Sequence, residues 1–201
     1  MKKTEDCITP FISDQDFIRT DIPMTKQEVR ELSICRLHLT ADSVMYDIGC
    51  GTGSVSVEAG RLSEKIKVFA LDSNPAAVKL TEENVRKFGL ENISVIEKCA
   101  PAGLEDLPPA DSAFIGGSKG HLKEILQSLY KKNPAMRVVI NAISLEALSQ
   151  IQTSLKDFPV SNFELVQLSV TKAEKAGDYH LLKAQNPVFI FSFDFSGKGG
   201  L

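Results

Sequence analysis

The sequence predicts an α/β fold with a mostly parallel, seven-stranded sheet that ends in an antiparallel hairpin. Short apolar runs alternate with helix-like segments through most of the chain, which is the pattern of parallel strands covered by helices. Two longer apolar runs then follow with no helix between them, as expected for antiparallel neighbours. The length of 201 residues and the 43% hydrophobic content suffice for one such domain.

Each strand is predicted from a short apolar run that polar residues bound on both sides. The strands are expected over residues 44–48, 66–71, 93–97, 112–115, 137–143, 163–171 and 187–195. A polar loop that contains Gly177 is expected to join the last two strands. The helices between the strands are expected over residues 25–37, 54–62, 74–89, 121–131 and 144–156.

Two helix boundaries have a specific chemical reason. Thr25 and Glu28 have the spacing of a capping box, in which each side chain satisfies an unpaired amide of the other residue. Pro75 suits the first turn of the third helix, and Gly89 suits its carboxyl-terminal cap. We therefore expect an irregular lead-in over residues 1–24, one domain over residues 25–195 and a tail over residues 196–201.

Composition argues against several classes of function. The net charge of −3 gives no basic field for nucleic acid, and no apolar segment approaches the roughly 20 residues of a membrane span. The amino terminus lacks the apolar core of a secretory signal, so a cytoplasmic location is expected. The cysteines are scattered without metal-binding or disulfide spacing, and no metal site is expected. They are Cys7, Cys35, Cys50 and Cys99.

The most informative segment is Asp47-Ile48-Gly49-Cys50-Gly51-Thr52-Gly53, where a strand turns into a helix. Glycines at such a turn let a ligand approach the backbone closely. Asp72, which ends the next strand, is placed to accept hydrogen bonds from both hydroxyls of a ribose. The two features together predict a pocket for a cofactor that contains adenosine.

The spacing of the glycines distinguishes between cofactors. A dinucleotide site requires Gly-x-Gly-x-x-Gly, but here the third glycine comes one residue early and Ser54 follows it. Asp47 would repel a pyrophosphate and suits a cationic ligand, such as one with an amino group and a sulfonium. The pattern resembles S-adenosylmethionine-dependent methyltransferases. A nucleotide-binding doubly wound domain, or a glycine-rich turn without a ligand, stays as the alternative.

The fourth strand ends in Gly116-Gly117-Ser118 rather than in the Asn/Asp-Pro-Pro-Tyr motif of enzymes that methylate exocyclic nitrogens. Because substrates of open α/β sheets bind beyond the carboxyl ends of the strands, this backbone-lined floor suits a large flat acceptor. A flexible turn before the following helix is the simpler alternative.

Several further segments resemble one family in their order and spacing. They are residues 16–19 (Asp-Phe-Ile-Arg), residues 22–26 (Ile-Pro-Met-Thr-Lys), Ala100-Pro101 and residues 186–188 (Asn-Pro-Val). With the glycine loop they resemble the decarboxylating precorrin methyltransferases of cobalamin synthesis, over roughly residues 14 to 193. The resemblance implies a Rossmann-like methyltransferase fold and methylation of a tetrapyrrole at C15, with loss of carbon dioxide from an acetate side chain. It also implies a homotetramer.

The resemblance also implies roles for individual residues. The donor S-adenosylmethionine would be held by Thr25, Gly49, Cys50, Gly51, Thr52, Gly53, Asp72 and Ala100. Cys99 stands where many relatives carry an aspartate that reaches the adenine amino group, so this contact is expected to be missing. Asp47 is expected to act indirectly, by orienting the glycine loop.

The expected acceptor site has no catalytic triad, because the acceptor carbon is already electron-rich. The residues that would contact the acceptor are Arg19, Lys26, Gly116, Gly117 and Ser118. Arg30 and Lys119 are further candidates for positive charge near its carboxylates, whereas His180, in the expected loop, is left out of the catalytic set. Two alternatives stay open: a methyltransferase of the same fold that acts on RNA or a small metabolite, and a non-catalytic donor-binding subunit.

Overall fold

The computed structural model describes residues 11–197, and the predictions for residues 1–10 and 198–201, Cys7 included, lie outside that range. The strands are β1 (Val44–Ile48), β2 (Lys67–Asp72), β3 (Ile93–Glu97), β4 (Ser112–Ile115), β5 (Arg137–Ala142), β6 (Val160–Leu168), β7 (Thr171–Ala176), β8 (Tyr179–Ala184) and β9 (Val188–Phe195). The helices are α1 (Gln27–Arg36), α2 (Ser54–Arg61), α3 (Pro75–Lys87), α4 (Leu122–Lys132) and α5 (Leu145–Leu155).

The main sheet has seven strands in the order β3-β2-β1-β4-β5-β9-β6, which confirms the predicted fold class. Strands β1 to β5 are parallel, and β9 runs antiparallel between β5 and β6. The chain leaves β1 toward β2 on one side and later returns to β4 on the other side. The loops that follow β1 and β4 therefore diverge and open a crevice at the switch point, where ligands of such sheets bind.

Both faces of the sheet are covered by helices, as the continuous apolar runs of the central strands require. Met45, Phe114 and Val139 point to one face and pack against α1 and α2. The alternate residues of the same strands, such as Tyr46 and Ile115, point to the other face and pack against α4 and α5. This double burial fixes the carboxyl ends of the strands, from which the site is built.

The loop predicted around Gly177 is wrong: the segment forms a second, two-stranded antiparallel sheet of β7 and β8. Gly177 makes the turn between them with φ +62°. The hairpin escapes a sequence-based prediction because almost all side chains of its two strands are exposed, so no alternation of apolar and polar residues marks them. Backbone pairing, rather than alternation of apolar residues, defines it.

The predicted capping box at Thr25 is also wrong. Helix α1 begins at Gln27 with Lys26 as its cap, and no side chain makes a capping hydrogen bond. Glu28 instead pairs with Lys172 of β7, with 2.8 Å between Oε1 and Nζ. The other two boundaries are confirmed: Pro75 opens α3, and Gly89 follows the capping residue Phe88 at its end with φ +65°.

The lead-in before α1 is irregular apart from a short 3-10 turn at Asp14–Asp16, and it lies against the domain. Ile12 and Phe17 are buried there with Val57 of α2. The guanidinium of Arg30 donates to the carbonyl oxygens of Ile12 and Thr25, at 2.5 and 2.7 Å. These contacts hold the lead-in beside the carboxyl ends of the strands.

Candidate functional site

A cavity of about 1030 Å³ opens at the carboxyl ends of the parallel strands. Its walls come from the loops after β1, β2, β3 and β4, from the lead-in, and from the β7–β8 hairpin. The volume lies at the upper end of the usual range for small-molecule sites, about 300–1,000 Å³. The cavity can therefore hold a large ligand or two ligands side by side.

The glycine loop between β1 and α2 forms one wall of this cavity and has no room for side chains. Gly49 has φ +73°, and a Cβ atom on it would lie 2.7 Å from the carbonyl oxygen of Gly117. Gly51 has φ +58°, and a Cβ atom there would lie 2.9 Å from the carbonyl oxygen of Pro23. Both glycines line the cavity, so a ligand meets bare backbone at this wall.

Asp72 lies at the end of β2, half-buried, and also lines the cavity. Its Oδ2 accepts a hydrogen bond from Gly51 N at 3.1 Å, and its Oδ1 accepts one from Asn74 N at 2.9 Å. A carboxylate offers about four lone pairs, so two backbone amides orient this one and leave acceptor capacity for a ligand.

Thr52 and Gly53 do not line the cavity; they join the loop to α2 and α3. Gly53 has φ +73° and caps α2, while the carbonyl oxygen of Thr52 accepts from Asn84 Nδ2 at 2.9 Å. Thr81 of α3 also supports the loop, since its Oγ1 donates to the carbonyl oxygen of Gly51 at 3.0 Å. Sequence reasoning missed Asn84 and Thr81, because a polar residue of a helix carries no signal of what it supports.

Cys50 lies between the glycines with its thiol 3.5 Å from the hydroxyl of Thr81. Burial, and then the nearby charge of Asp47, raises the pKa of the Cys50 thiol far above its ordinary value. The thiolate is therefore not populated near neutral pH, and Cys50 does not act as a nucleophile.

Asp47 is fully buried and points away from the cavity, toward α2. Its Oδ2 accepts from the hydroxyl of Ser56 at 2.5 Å. Burial raises the pKa of Asp47 to about 7, although the hydrogen bonds from Ser56 act in the opposite direction. The carboxyl group thus fastens the first turn of α2 to β1 and holds the glycine loop between them.

The second wall is the glycine pair after β4. Gly116 N and Gly117 N donate to the carbonyl oxygen of Ile48, at 2.9 and 3.4 Å, which joins this loop to the end of β1. A Cβ atom added to Gly117 would meet no protein atom within 4 Å. Gly117 lines the cavity, as do Ser118, Ala100 and Cys99, so its bare backbone leaves space that a ligand can occupy.

Basic side chains outnumber acidic ones around the cavity of this acidic protein. The basic residues are Arg19, Lys26, Lys98, Lys119 and Lys172, and the acidic ones are Asp14, Asp72 and Glu174. Lys119 reaches across the crevice, and its Nζ donates to Ser73 Oγ at 2.6 Å. Clustered basic groups raise the local concentration of anionic ligands.

The expectation that Arg30 adds charge to the cleft is wrong. Its side chain has no exposed surface and forms ion pairs with the buried Glu58 and, at 3.0 Å, with Asp14. The groups that accept hydrogen bonds from Arg30 belong to the lead-in and α2. Arg30 therefore holds the cavity wall in place and does not contact the ligand. A buried charge needs such partners because it has lost its hydration.

His180 is exposed on strand β8, not in a loop, and does not line the cavity. The same hairpin does reach the cavity through β7, with Lys172, Ala173 and Glu174. Sequence reasoning missed these residues together with the hairpin itself.

The bare-backbone wall at Gly49 and Gly51 and the oriented carboxylate of Asp72 fit a donor with an amino-acid part and a ribose. The doubly wound sheet and this crevice together define an S-adenosylmethionine-dependent methyltransferase. Within residues 11–197, no group of three or more His, Cys, Asp or Glu side chains is placed to hold a metal ion. No helix in the described part of the chain is long and apolar enough to cross a membrane.

Comparison with known proteins narrows this class to one family. A family model described as a precorrin methyltransferase domain matches residues 16–194. The chain is 40% identical to the probable cobalt-precorrin-6B C(15)-methyltransferase (decarboxylating) of Sulfurisphaera tokodaii, over 90% of this chain and 95% of that protein. It is 34% identical to the corresponding Salmonella typhimurium enzyme, over 90% and 94%. The chain belongs to the precorrin methyltransferase family.

Solved structures agree with this assignment. The precorrin-6y C5,15-methyltransferase of Geobacter metallireducens superposes with a TM-score of 0.86 at 36% identity, over 91% of this chain and 97% of that one. The precorrin 8W decarboxylase of Methanobacterium thermoautotrophicum gives 0.82 at 33% identity, over 90% and 98%. An O-methyltransferase of Thermotoga maritima, at 16% identity and a TM-score of 0.74, shares the fold.

Proposed function

We propose that this enzyme transfers a methyl group from S-adenosylmethionine to C15 of a precorrin and releases carbon dioxide from an acetate side chain, within cobalamin synthesis. The near-full-length match to relatives that are named for this activity carries the proposal. The cavity supports it independently, because it has room for a donor and a large acceptor and because basic side chains surround it.

The donor would lie along the glycine loop. Gly49, Cys50 and Gly51 would contact its methionine part directly, whereas Thr52 and Gly53 would act by shaping the loop. Asp72 would accept from the ribose hydroxyls, and the backbone at Ala100 would meet the adenine. Thr25 lines the cavity beside the end of the loop, where its carbonyl oxygen accepts from Ser54 Oγ at 3.5 Å, and it would close this site from the lead-in.

The acceptor would lie on the floor formed by Gly116, Gly117 and Ser118, where Gly117 faces open space in the cavity. Arg19 and Lys26 are exposed at the mouth of the cavity, where side chains of a polycarboxylate would emerge. Charge-assisted hydrogen bonds to carboxylates are the strong ones, so these two residues would set the orientation of the ring.

In the proposed mechanism the protein acts mainly by positioning. S-adenosylmethionine, when bound, supplies an electrophilic methyl group. The bare backbone at Gly49 and Gly117 lets two ligands approach each other without an intervening side chain. Asp72 and the basic residues at the mouth would fix the position of the two ligands relative to each other. Orientation of this kind is worth about 7–11 kcal/mol of the barrier when the reacting atoms are close to attack.

The test is turnover. Purified protein is incubated with isotope-labelled S-adenosylmethionine and either cobalt-precorrin-6B or its metal-free counterpart, and the products are weighed by mass spectrometry. We expect the mass of one methyl group to be gained and that of one carbon dioxide to be lost. Binding of the donor by calorimetry without conversion of either acceptor would contradict the proposed reaction and leave a donor-binding subunit.

We also propose that the protein forms a homotetramer, as the family resemblance implies. Two apolar surfaces on different sheets support this. Phe163 and Leu165 are about half exposed on β6, the edge strand of the main sheet. Tyr179 and Leu182 are 76% and 77% exposed on the two opposite faces of β8. A closed tetramer with dihedral symmetry uses more than one kind of interface, and two separate surfaces would supply them.

A cytoplasmic location is part of the same proposal. Cys35, Cys50 and Cys99 are free thiols. Unpaired cysteines are typical of proteins that stay in a reducing compartment.

A further inference from the structure

Strand β5 carries an amide side chain into the cavity directly beside the glycine floor. Ile140 of β5 pairs with Ile115 of β4, so the next residue of β5, Asn141, lies alongside Gly116. Asn141 lines the cavity together with Val29, Ile143 and Val188. The neighbours named here are apolar, and Gln185 and Asn186, which also line the cavity and precede Val188 in the chain, are neutral amides, in contrast to the basic mouth.

The hydrogen bonds around Asn141 fix the orientation of that amide. Ser33 has one hydroxyl proton, and its Oγ donates to the carbonyl oxygen of Val29 at 2.7 Å. Towards Asn141 the hydroxyl can then only accept, and Asn141 Nδ2 donates to it at 3.0 Å. The oxygen Oδ1 also lies 3.3 Å from Ser33 Oγ, but the only proton of that hydroxyl is donated to Val29, so Oδ1 and the second hydrogen of Nδ2 keep their hydrogen-bonding capacity. They are available to a ligand.

The charged groups of α1 beside this corner are already paired. Glu28 forms its ion pair with Lys172 at 2.8 Å, and Arg30 is buried against Glu58. A carboxylate that binds beside Asn141 would therefore meet neutral amides and apolar side chains rather than a charged group of α1. Such an environment stabilises a carboxylate poorly, which favours its loss as carbon dioxide.

We infer that Asn141 holds the acetate group that is lost, with its free N–H donating to the carboxylate. The inference rests on the proposed function and assigns the decarboxylation to this corner of the cavity. The bond between the methylene carbon and the carboxylate breaks, carbon dioxide leaves, and the bonding pair enters the conjugated ring. There it offsets the positive charge that the incoming methyl group brings, so no oxidant or reductant is needed. Ser33 is the positioning residue for the amide.

The test compares Asn141→Leu, which keeps the size of the side chain, with Gln127→Leu, which replaces an exposed amide on α4 outside the cavity. With cobalt-precorrin-6B as acceptor, we expect Asn141→Leu to slow release of carbon dioxide roughly ten- to hundredfold, because the carboxylate loses the group that orients its breaking bond toward the ring. Ser33→Ala should slow it less. Affinity for S-adenosylmethionine, measured by calorimetry, should stay within about twofold for all three variants.

An isotope effect makes the test specific to the bond that breaks. With ¹³C in the acetate carboxylate, the carbon isotope effect on carbon dioxide release should rise in Asn141→Leu, because this step becomes rate-limiting, and stay unchanged in Gln127→Leu. Release at the wild-type rate, or a loss of release without a larger isotope effect, would overturn the inference. An inactive wild-type protein would instead contradict the proposed function itself.

Discussion

At the scale of single residues, we propose Asp72 as the side chain on which donor binding depends most directly. Two backbone amides orient its carboxylate, and the carboxylate faces the cavity. We expect Asp72→Ala to weaken the affinity for S-adenosylmethionine roughly ten- to hundredfold, because the ribose hydroxyls lose a charged acceptor. Isothermal titration measures this effect directly.

Glu91→Ala, which removes an exposed carboxylate outside the cavity, is the matched control. Thermal unfolding followed by circular dichroism should show that Asp72→Ala stays folded. Equal donor affinities in the two variants and the wild type would remove Asp72 from the site.

The placement of Asp72 beside the glycine loop was predictable from the sequence, since packing alone rarely requires both a glycine-rich turn and an acid at the end of the next strand. Arg30 was not predictable. A basic residue in an amphipathic helix gives no signal of burial, and its partners Asp14 and Glu58 lie 16 and 28 positions away in the chain. Asn141 had no signal either, because its place beside Gly116 depends on the register between β4 and β5.

At the scale of elements, Asp47 makes the stability of the contact between α2 and β1 depend on pH. Its pKa is raised to about 7 in the folded protein, chiefly by burial, from an ordinary value of 3.8. A raised pKa means that the folded state holds the proton more tightly than the unfolded state. The stabilising effect of that proton is fully present below about pH 4 and is lost as the pH rises to about 7.

We expect Asp47→Asn to abolish this dependence, since an amide cannot titrate but still accepts from Ser56. Relative to the variant, the wild type should lose on the order of 4 kcal/mol of unfolding free energy between pH 4 and pH 7. Urea unfolding of both proteins across this range gives the difference. Ser56→Ala removes a hydrogen bond that lowers the pKa of Asp47. The pH range over which stability is lost should therefore extend to higher pH in this variant. Parallel pH profiles for wild type and Asp47→Asn would contradict the assignment.

The elements of the sheet were largely predictable, because buried parallel strands are apolar on both faces. The β7–β8 hairpin was not. Its exposed strands lack the apolar alternation that reveals a half-buried strand, and only the turn at Gly177 was visible in the sequence. The error mattered for the site, since the hairpin contributes Lys172 and Glu174 to the cavity.

At the scale of the whole molecule, the exposed apolar residues of β6 and β8 predict self-association. We expect sedimentation at a mass four times that of the 22.0 kDa chain. Leu182→Glu, which places a charge on the hairpin surface, should dissociate the assembly into smaller species. Leu62→Glu, at a residue 40% exposed directly after α2, should leave it intact. A monomeric wild-type protein, or a tetramer unaffected by Leu182→Glu, would contradict the proposed surface.

The two glycine walls of the cavity tolerate change very differently. A methyl group on Gly49 collides with the backbone at Gly117, whereas a methyl group on Gly117 meets nothing in the protein. Folding alone therefore selects for glycine at the first position but not at the second. Substitution of Gly117 would be limited only by the ligand that binds in the cavity. The residue found at this position in relatives should therefore vary with the shape of the molecule that each relative methylates.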